Sequence, residues 1–314
     1  MSPQISLSIL NPPDTANEEA RHRFLLRLGY ALAVMLILGL TLYGFDYYFL
    51  EVALRPFSPK HLMLKPTGLV GLWLGILGAG IFLGIFLYPI RKRWEWLRRQ
   101  GNSRHWLDFH VLMGLAAPFV IAFHSAFKFR GMAGMAFWIM SAVALSGVAG
   151  RYIYGQIPRS LNAAELSLKE AQEFLAQLAA QLTQQKVVPA ALLTPIFALP
   201  TESEVESESS LGALWSLVAV DLEQTFHIAR LRRHAAGRWV LMATLGGLLV
   251  TANSELERVI DLAREQASLS KRILFLSRSQ QVFHLWHVVH KPFSYSFAVL
   301  AGIHIFVAML FGVR

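Results

Sequence analysis

Five stretches of this chain are long and apolar enough to cross about 30 Å of hydrocarbon, which takes roughly 17 to 25 helical residues. They lie at 26–46, 68–90, 106–126, 132–153 and 283–311. Backbone amides in hydrocarbon have no water to bond, so a spanning segment must satisfy them internally, and an α-helix does so. The expected fold is an all-α membrane protein with about five transmembrane helices. Composition agrees. Only 16% of the 314 residues are charged and 54% are hydrophobic, against about a quarter charged in a soluble domain.

Charge placement sets orientation. The loop after the second run carries Arg91, Lys92, Arg93, Arg98, Arg99 and Arg104, which predicts a cytoplasmic location by the positive-inside rule. The preceding loop spreads Arg55, Lys60 and Lys65 over some twenty residues, and the loop after the third run has only Lys128 and Arg130. Five spans then put the N-terminus inside and the C-terminal GVR outside, in a multi-pass protein of the cell inner membrane. The formal charge of +9 comes mainly from basic residues at the ends of apolar runs, so lipid is the expected partner and nucleic acid is not. The first twenty residues are polar, with no cleavable signal expected. The absence of cysteine excludes disulfides, cysteine-ligated iron–sulfur clusters and covalently attached c-type haem.

The organisation reads as a polar N-terminal segment at 1–25, four helices over 26–155, a mainly helical cytoplasmic insert at 156–280, and a last helix at 281–314. Within the insert, AAELSLKEAQEFLAQLAAQLTQQ reads as an amphipathic helix and TESEVESESS, residues 201–210, as an acidic linker without a core. SELERVIDLAREQASLSKRILFLSRSQQ reads as a helix running into the last span. WVLMATLGGLLVTA at 239–252 is apolar over about fourteen residues, a length typical of a buried, interfacial or re-entrant helix. If it crosses instead, there are six spans and the last helix reverses. No glycine-rich nucleotide-binding loop is present.

Ionisable groups at membrane depth are costly and make functional-site candidates. His110 and His124 lie fourteen residues apart in the third run, and His290 and His304 fourteen apart in the last. Fourteen helical steps return to within roughly 40° of the starting direction and rise about 21 Å. Each helix therefore presents two imidazoles on one face, one near each membrane surface. His105, His284 and His287 fall off that face. A lone intramembrane histidine is usually a packing residue, but two helices with the same interval suit the axial ligation of haem iron. One histidine per helix at each level makes two six-coordinate b haems. Gly114, Ala116, Ala117, Ala298 and Ala301 leave room for the macrocycles. Gly71, Gly75, Gly80 and Gly84 in the second run allow close helix contact or a flat ligand.

Two helices with histidine pairs at this interval resemble the ferric-reductase-like transmembrane domain and other dihaem cytochrome b subunits, over roughly 68–155 and 281–312. WHVVHKPF and GRYIYGQIPR also resemble segments of small bacterial cytochrome b-like membrane proteins. The resemblance implies His110, His124, His290 and His304 as haem ligands. The chain departs from ferric reductases and NADPH oxidases in lacking their flavin and nicotinamide domains. Parallel helices would pair His110 with His290 and His124 with His304; a sixth span would pair His110 with His304 and His124 with His290.

Haem propionates need cationic donors. Candidates are Arg104, Arg151, Arg159 and Lys291 inside, and Lys128 and Arg130 outside. His287, Tyr154 and Arg151 are candidates for a quinone site beside the inner haem. Pro118 and Pro292 are expected to kink their helices, and His227 and His234 to sit on a solvated helical face. The expected function is transmembrane electron transfer, as the cytochrome b subunit of a quinone-linked oxidoreductase. It would act within a hetero-complex, linking the quinone pool to a periplasmic redox partner such as a multihaem cytochrome. Two rivals are a transporter of iron, zinc or copper and a non-redox scaffold whose insert docks a partner. The transporter needs acids or methionines at histidine depth, and the two histidine runs hold only Asp108 among acids.

Overall fold

The computed structural model describes residues 13–157, 164–185, 187–235 and 246–311, and among these it is helical with no strand. The long helices are α1 (Pro13–Tyr48), α2 (Leu69–Arg93), α3 (Ser103–His124), α4 (Gly131–Gln156), α5 (Ala164–Gln184), α6 (Ser210–Ala235), α7 (Ser254–Leu274) and α8 (Leu276–Phe311). Five helical stretches are long and apolar enough to cross a membrane: Asn17–Tyr48, His61–Arg93, Ser103–His124, Gly131–Gln156 and Leu276–Phe311. Each coincides with one apolar run of the sequence. The chain is a multi-pass membrane protein. Its contacts divide it into two compact units, residues 1–148 with 289–314, and residues 149–288.

In the first unit α2 and α3 form an antiparallel pair closed by a tight loop. Arg91 is buried and donates to the carbonyls of Arg98 (3.0 Å), Gln100 (3.3 Å) and Gly101 (2.9 Å), with its guanidinium 5.6 Å from the Trp106 ring centre. Asn102 then caps α3 by accepting from the Arg104 amide at 3.0 Å, one of the orphan donors of a helix start. At the opposite end Arg55 is also buried. It donates to Leu50 O (3.0 Å), Tyr48 O (2.7 Å) and Ala126 O. No carboxylate joins it in these bonds. Carbonyls at the C-terminal ends of α1 and α3, where the helix dipoles are negative, take its charge instead. Ala126 and Phe127 adopt left-handed backbone at φ 48° and 58°, a conformation costly for residues with a Cβ. Helices α3 and α8 continue through Pro118 and Pro292.

The second unit has its own core of Leu182, Ile196, Ile228, Leu231, Val259, Ile260 and Ala263. Two features depart from the sequence reading. The acidic segment is no bare linker: Glu202–Ser207 is a short helix with a Thr201–Glu204 capping box, and Val205 is buried against Leu217 and Phe275. One apolar residue among the acids was enough to anchor it. The helix at Ser254–Leu274 also does not run into the last span. It ends at the fully buried Phe275, and α8 starts anew at Leu276.

Most of the apolar 239–252 stretch, through residue 245, lies outside the described residues. Its end turns back at Gly246 and Gly247, with φ of 70° and 87°, values that favour glycine. Arg233 Nε donates to Gly246 O at 2.6 Å, and Arg232 Nη1 to Gly247 O and Leu248 O at 3.2 Å each. Arg232 also forms a two-pronged pair with Glu257 at 3.0 and 2.5 Å. Burial pushes the Glu257 carboxyl up, but hydrogen bonds from Arg232 and from Thr251 outweigh it and hold it below its usual value. Beside this core the Asp221 carboxylate accepts from Tyr152 at 2.5 Å and from the buried Lys271. Burial pulls the Lys271 ammonium below its usual range, and Asp221 opposes the shift.

Arg232→Ala strands the Glu257 carboxylate, a loss of about 3–5 kcal/mol for a broken buried pair. The expected result is a lower melting temperature and faster proteolysis at 246–257. Because the folded Glu257 pKa is depressed, the wild-type contribution is full above the unfolded carboxyl value and fades as pH falls through the folded one. The gap in melting temperature between the two proteins should therefore narrow on acidification.

Candidate functional site

The four histidines of the fourteen-residue intervals are all half-buried in the first unit. On α3, His110 Nδ1–H donates to Ile85 O at 2.9 Å and His124 Nδ1–H to Gly71 O at 2.8 Å. The two acceptors on α2 are themselves fourteen residues apart, so both bonds obey one antiparallel register. Local sequence explains each acceptor. Ile85 O would ordinarily accept from the amide four residues on, but that residue is Pro89, which has none. Its carbonyl is left for His110. Gly75 makes room for His124: a Cβ there would lie 2.7 Å from the imidazole Cε1. Neighbouring glycines admit other α3 side chains, Gly78 facing Ile121 and Gly84 facing Met113, whereas Gly80 faces nothing within 4 Å.

A carbonyl only accepts, so both imidazoles carry their proton on Nδ1 when neutral and expose Nε2 as the basic nitrogen. His290 Nδ1 meets a hydroxyl instead: Ser146 Oγ lies 2.8 Å from it and 2.8 Å from Val143 O. Gly147 leaves the ring space, with a Cβ position 3.8 Å from its Cε1. Metal-binding histidines are oriented by such outer hydrogen bonds.

The structure brings His124 and His304 together, with ring centres 6.5 Å apart and planes at 69°. Two imidazoles binding one ion from opposite sides, with nitrogen–metal bonds of about 2.0–2.1 Å, place their ring centres about 6 Å apart. The separation fits a bis-histidine site. Phe297 of α8 packs at mid-depth against Phe82 of α2 and the cluster of Ala117, Ala122, Phe137 and Met140. From Phe297 to His304, α8 thus advances toward His124 in the same sense as α3. The helices are parallel, and His290 lies on the same side of Phe297 as His110 does of Ala117.

Other candidates divide. Lys128, Arg130 and Lys291 are exposed. Arg104 pairs with Glu19 at 3.6 Å, and Arg159 lies outside the described residues. In the second unit, His287 packs edge-on to Phe283 (4.4 Å) and Trp286 (4.7 Å), with its Nδ1 3.2 Å from Phe283 O, and Tyr154 lies 5.9 Å from that same Phe283. Tyr154 and His287 therefore share an aromatic neighbour, and Arg151 lies one turn from Tyr154 on α4. His227 and His234 belong to α6, half-buried and exposed respectively.

Two groups escaped the sequence reading. Lys92 sits 4.7 Å over the Tyr88 ring, which is 5.2 Å from His110. The i, i+4 spacing of Tyr88 and Lys92 was the available signal. His22 and His105 stack at 3.7 Å, the first donating through Nε2 to Asp108 (3.1 Å) and the second through Nε2 to Glu19 (3.2 Å). Nothing in the sequence aligns α1 with α3 to reveal them. Among the described residues no group of three or more His, Asp or Glu is arranged to hold a metal ion. Comparison with known protein families, with curated proteins and with solved structures finds no match.

Gly75→Ala drives a methyl into the His124 ring and should destabilise the first unit by about 1–3 kcal/mol, the usual range for overpacking. Gly80→Ala meets open space and should be neutral or stabilising by about 0.5–1 kcal/mol through helix propensity. Thermal unfolding of the two variants in one detergent checks the contrast.

Proposed function

We propose that this chain is a dihaem b-type cytochrome that carries electrons across the membrane, with His124 and His304 holding one haem and His110 and His290 the other. The observation that carries the reading is the 6.5 Å approach of His124 to His304, with the His124 Nδ1–H engaged so that Nε2 is the coordinating nitrogen. Haem held by these residues would supply one-electron transfer. The carbonyls of Ile85 and Gly71 keep His110 and His124 in the tautomer that would ligate through Nε2, and the Ser146 hydroxyl holds the His290 ring. Lys92 and Lys291 would be donors for propionates at one level, and Lys128 and Arg130 at the other.

The basic loop at 91–104 supports a cytoplasmic location for that end, with the N-terminus inside and residues 160–235 in the cytoplasm of a cell with this chain in its inner membrane. The parallel α3 and α8 support five spans. The chain is read as the cytochrome b subunit of a larger complex. Quinol would donate near His287, Tyr154 and Arg151, and a periplasmic redox protein such as a multihaem cytochrome would accept. His287 lies three residues before His290, and an imidazole can exchange a proton with a quinol.

Purified protein should show a reduced b-type spectrum with two haems per chain. Alanine at His110, His124, His290 or His304 should remove about one haem each. A colourless, folded preparation refutes the cytochrome. His287→Ala should keep both haems yet slow their reduction by a quinol analogue at least about tenfold, equal to about 1.4 kcal/mol of barrier, read by stopped flow at the haem α band. An unchanged rate removes the quinone site from His287 while leaving the haems in place. A C-terminal reporter active only in the cytoplasm should stay silent; activity there contradicts five spans.

A further inference from the structure

Helix α6 is anchored to the ends of two spanning helices. The Tyr152 hydroxyl, one turn before the end of α4, donates to the Asp221 carboxylate of α6 at 2.5 Å. Lys271, just ahead of the start of α8, donates to the other oxygen of that carboxylate. Around these bonds Leu217 of α6 packs with Val205 and Phe275, and Tyr152 and Leu274 close the cluster. Because Tyr152 sits a full turn inside α4, α6 is fastened along the flank of that helix rather than beneath its end. Aromatic residues gather at the same level: Phe283 lies 5.9 Å from Tyr154 and 5.4 Å from Trp286. Tyrosine and tryptophan concentrate where hydrocarbon gives way to headgroups. All of these residues belong to the second unit.

The face of α6 turned away from this anchor is apolar. Leu211, Trp215, Leu222 and Phe226 are between 53% and 79% exposed. At about 100° per residue they fall within roughly 60° of one another, opposite Leu217, along about 22 Å of helix. The surface continues past Phe226. Arg232 and Arg233 hold the turn at 246–248 against the C-terminal end of α6, and Leu248, Leu249 and Val250 are half exposed or more. The exposed Arg230 and Arg233 border this end. The acidic segment 202–206 is packed through Val205 on the anchored side, away from the row.

We propose that α6 lies in the headgroup layer of the leaflet in which α4 ends, with its apolar row and the Leu248–Val250 turn set into phospholipid. The anchor decides the occupant. It holds the row facing outward at the level of the aromatic belt, and the medium around the ends of spanning helices at that level is lipid. An interfacial helix pairs an apolar face with basic residues, and arginine stems can lie along the apolar surface while their heads reach phosphates. The Leu248–Val250 turn also closes the apolar run at 239–252, whose length suits an interface and not a span. The inference does not depend on haem.

The chain has no cysteine, so one introduced thiol carries one bimane probe. Full-length protein is placed one copy per phospholipid nanodisc, with and without lipid bearing a nitroxide high on its acyl chain. Labels at Trp215→Cys, Leu222→Cys, Phe226→Cys and Val250→Cys should be quenched by the nitroxide lipid. All four side chains are exposed, so helix content should match the wild type. Iodide in the buffer should quench a label at the exposed, polar Glu223→Cys at least about threefold more strongly than one at Leu222→Cys, because an interfacial helix buries its apolar face. Equal iodide quenching at the two positions puts the row in water and overturns the proposal. Row labels reached by neither quencher mean that another segment of the chain covers the row, which also overturns it. Loss of lipid quenching in discs holding two copies gives the row to a second copy instead.

Discussion

A polar atom at membrane depth has no water to turn to, so its partner must come from the protein. In this chain that requirement falls on imidazoles, and backbone carbonyls meet it. The bonds from His110 to Ile85 O and from His124 to Gly71 O do three things together. They satisfy one nitrogen of each ring, they fix the register of α2 against α3, and they decide which nitrogen each ring offers to the helices beyond. Pro89 and Gly75 are the local devices that allow this, one by removing a competing amide and the other by removing a side chain. The positions of His304 and His290 acquire meaning only once α3 has been set.

The nitrogen each histidine uses sorts the histidines of the first unit into kinds. His22 and His105 direct Nε2 into carboxylates of Asp108 and Glu19, and so tie α1 to α3 near one membrane surface. His110 and His124 engage Nδ1 on carbonyls and so carry Nε2 as the basic atom, and His290 meets Ser146 through Nδ1. Residue type alone does not separate these roles. Geometry at the ring does, and it agrees with the helical-face argument from the fourteen-residue intervals.

Much of the fold was legible because membrane spans are set by length and apolarity, which a single sequence displays. The shared face of His110 and His124, which both reach carbonyls of the second span, was legible because helical periodicity carries a face over about twenty ångströms. The glycine spacing of the second run pointed to close approach, though not to Gly75 as the one beneath an imidazole. What escaped needed contacts between distant segments: the Lys92–Tyr88–His110 stack, the His22–Asp108 pair, the Arg232–Glu257 clamp inside a segment that reads as merely basic. The acidic 201–210 stretch misled because composition averages away Val205, and one buried valine with a capping box is sufficient to fold a turn. The helix break at Phe275 has no signal in a sequence of good helix formers.

Arg55 has a consequence for how the protein is made. Its guanidinium rests on carbonyls of Leu50 and Tyr48, close by in sequence, and on that of Ala126, which lies 71 residues further along. A chain synthesised from its N-terminus displays this cation well before its last acceptor exists. Until α3 is complete and has bent left-handed through Ala126 and Phe127, the cation has only its two local acceptors. The full set of Arg55 bonds can form only after the turn at Ala126 has been made, so the contact that ties the end of the first span to the end of the third is one of the last this unit can complete.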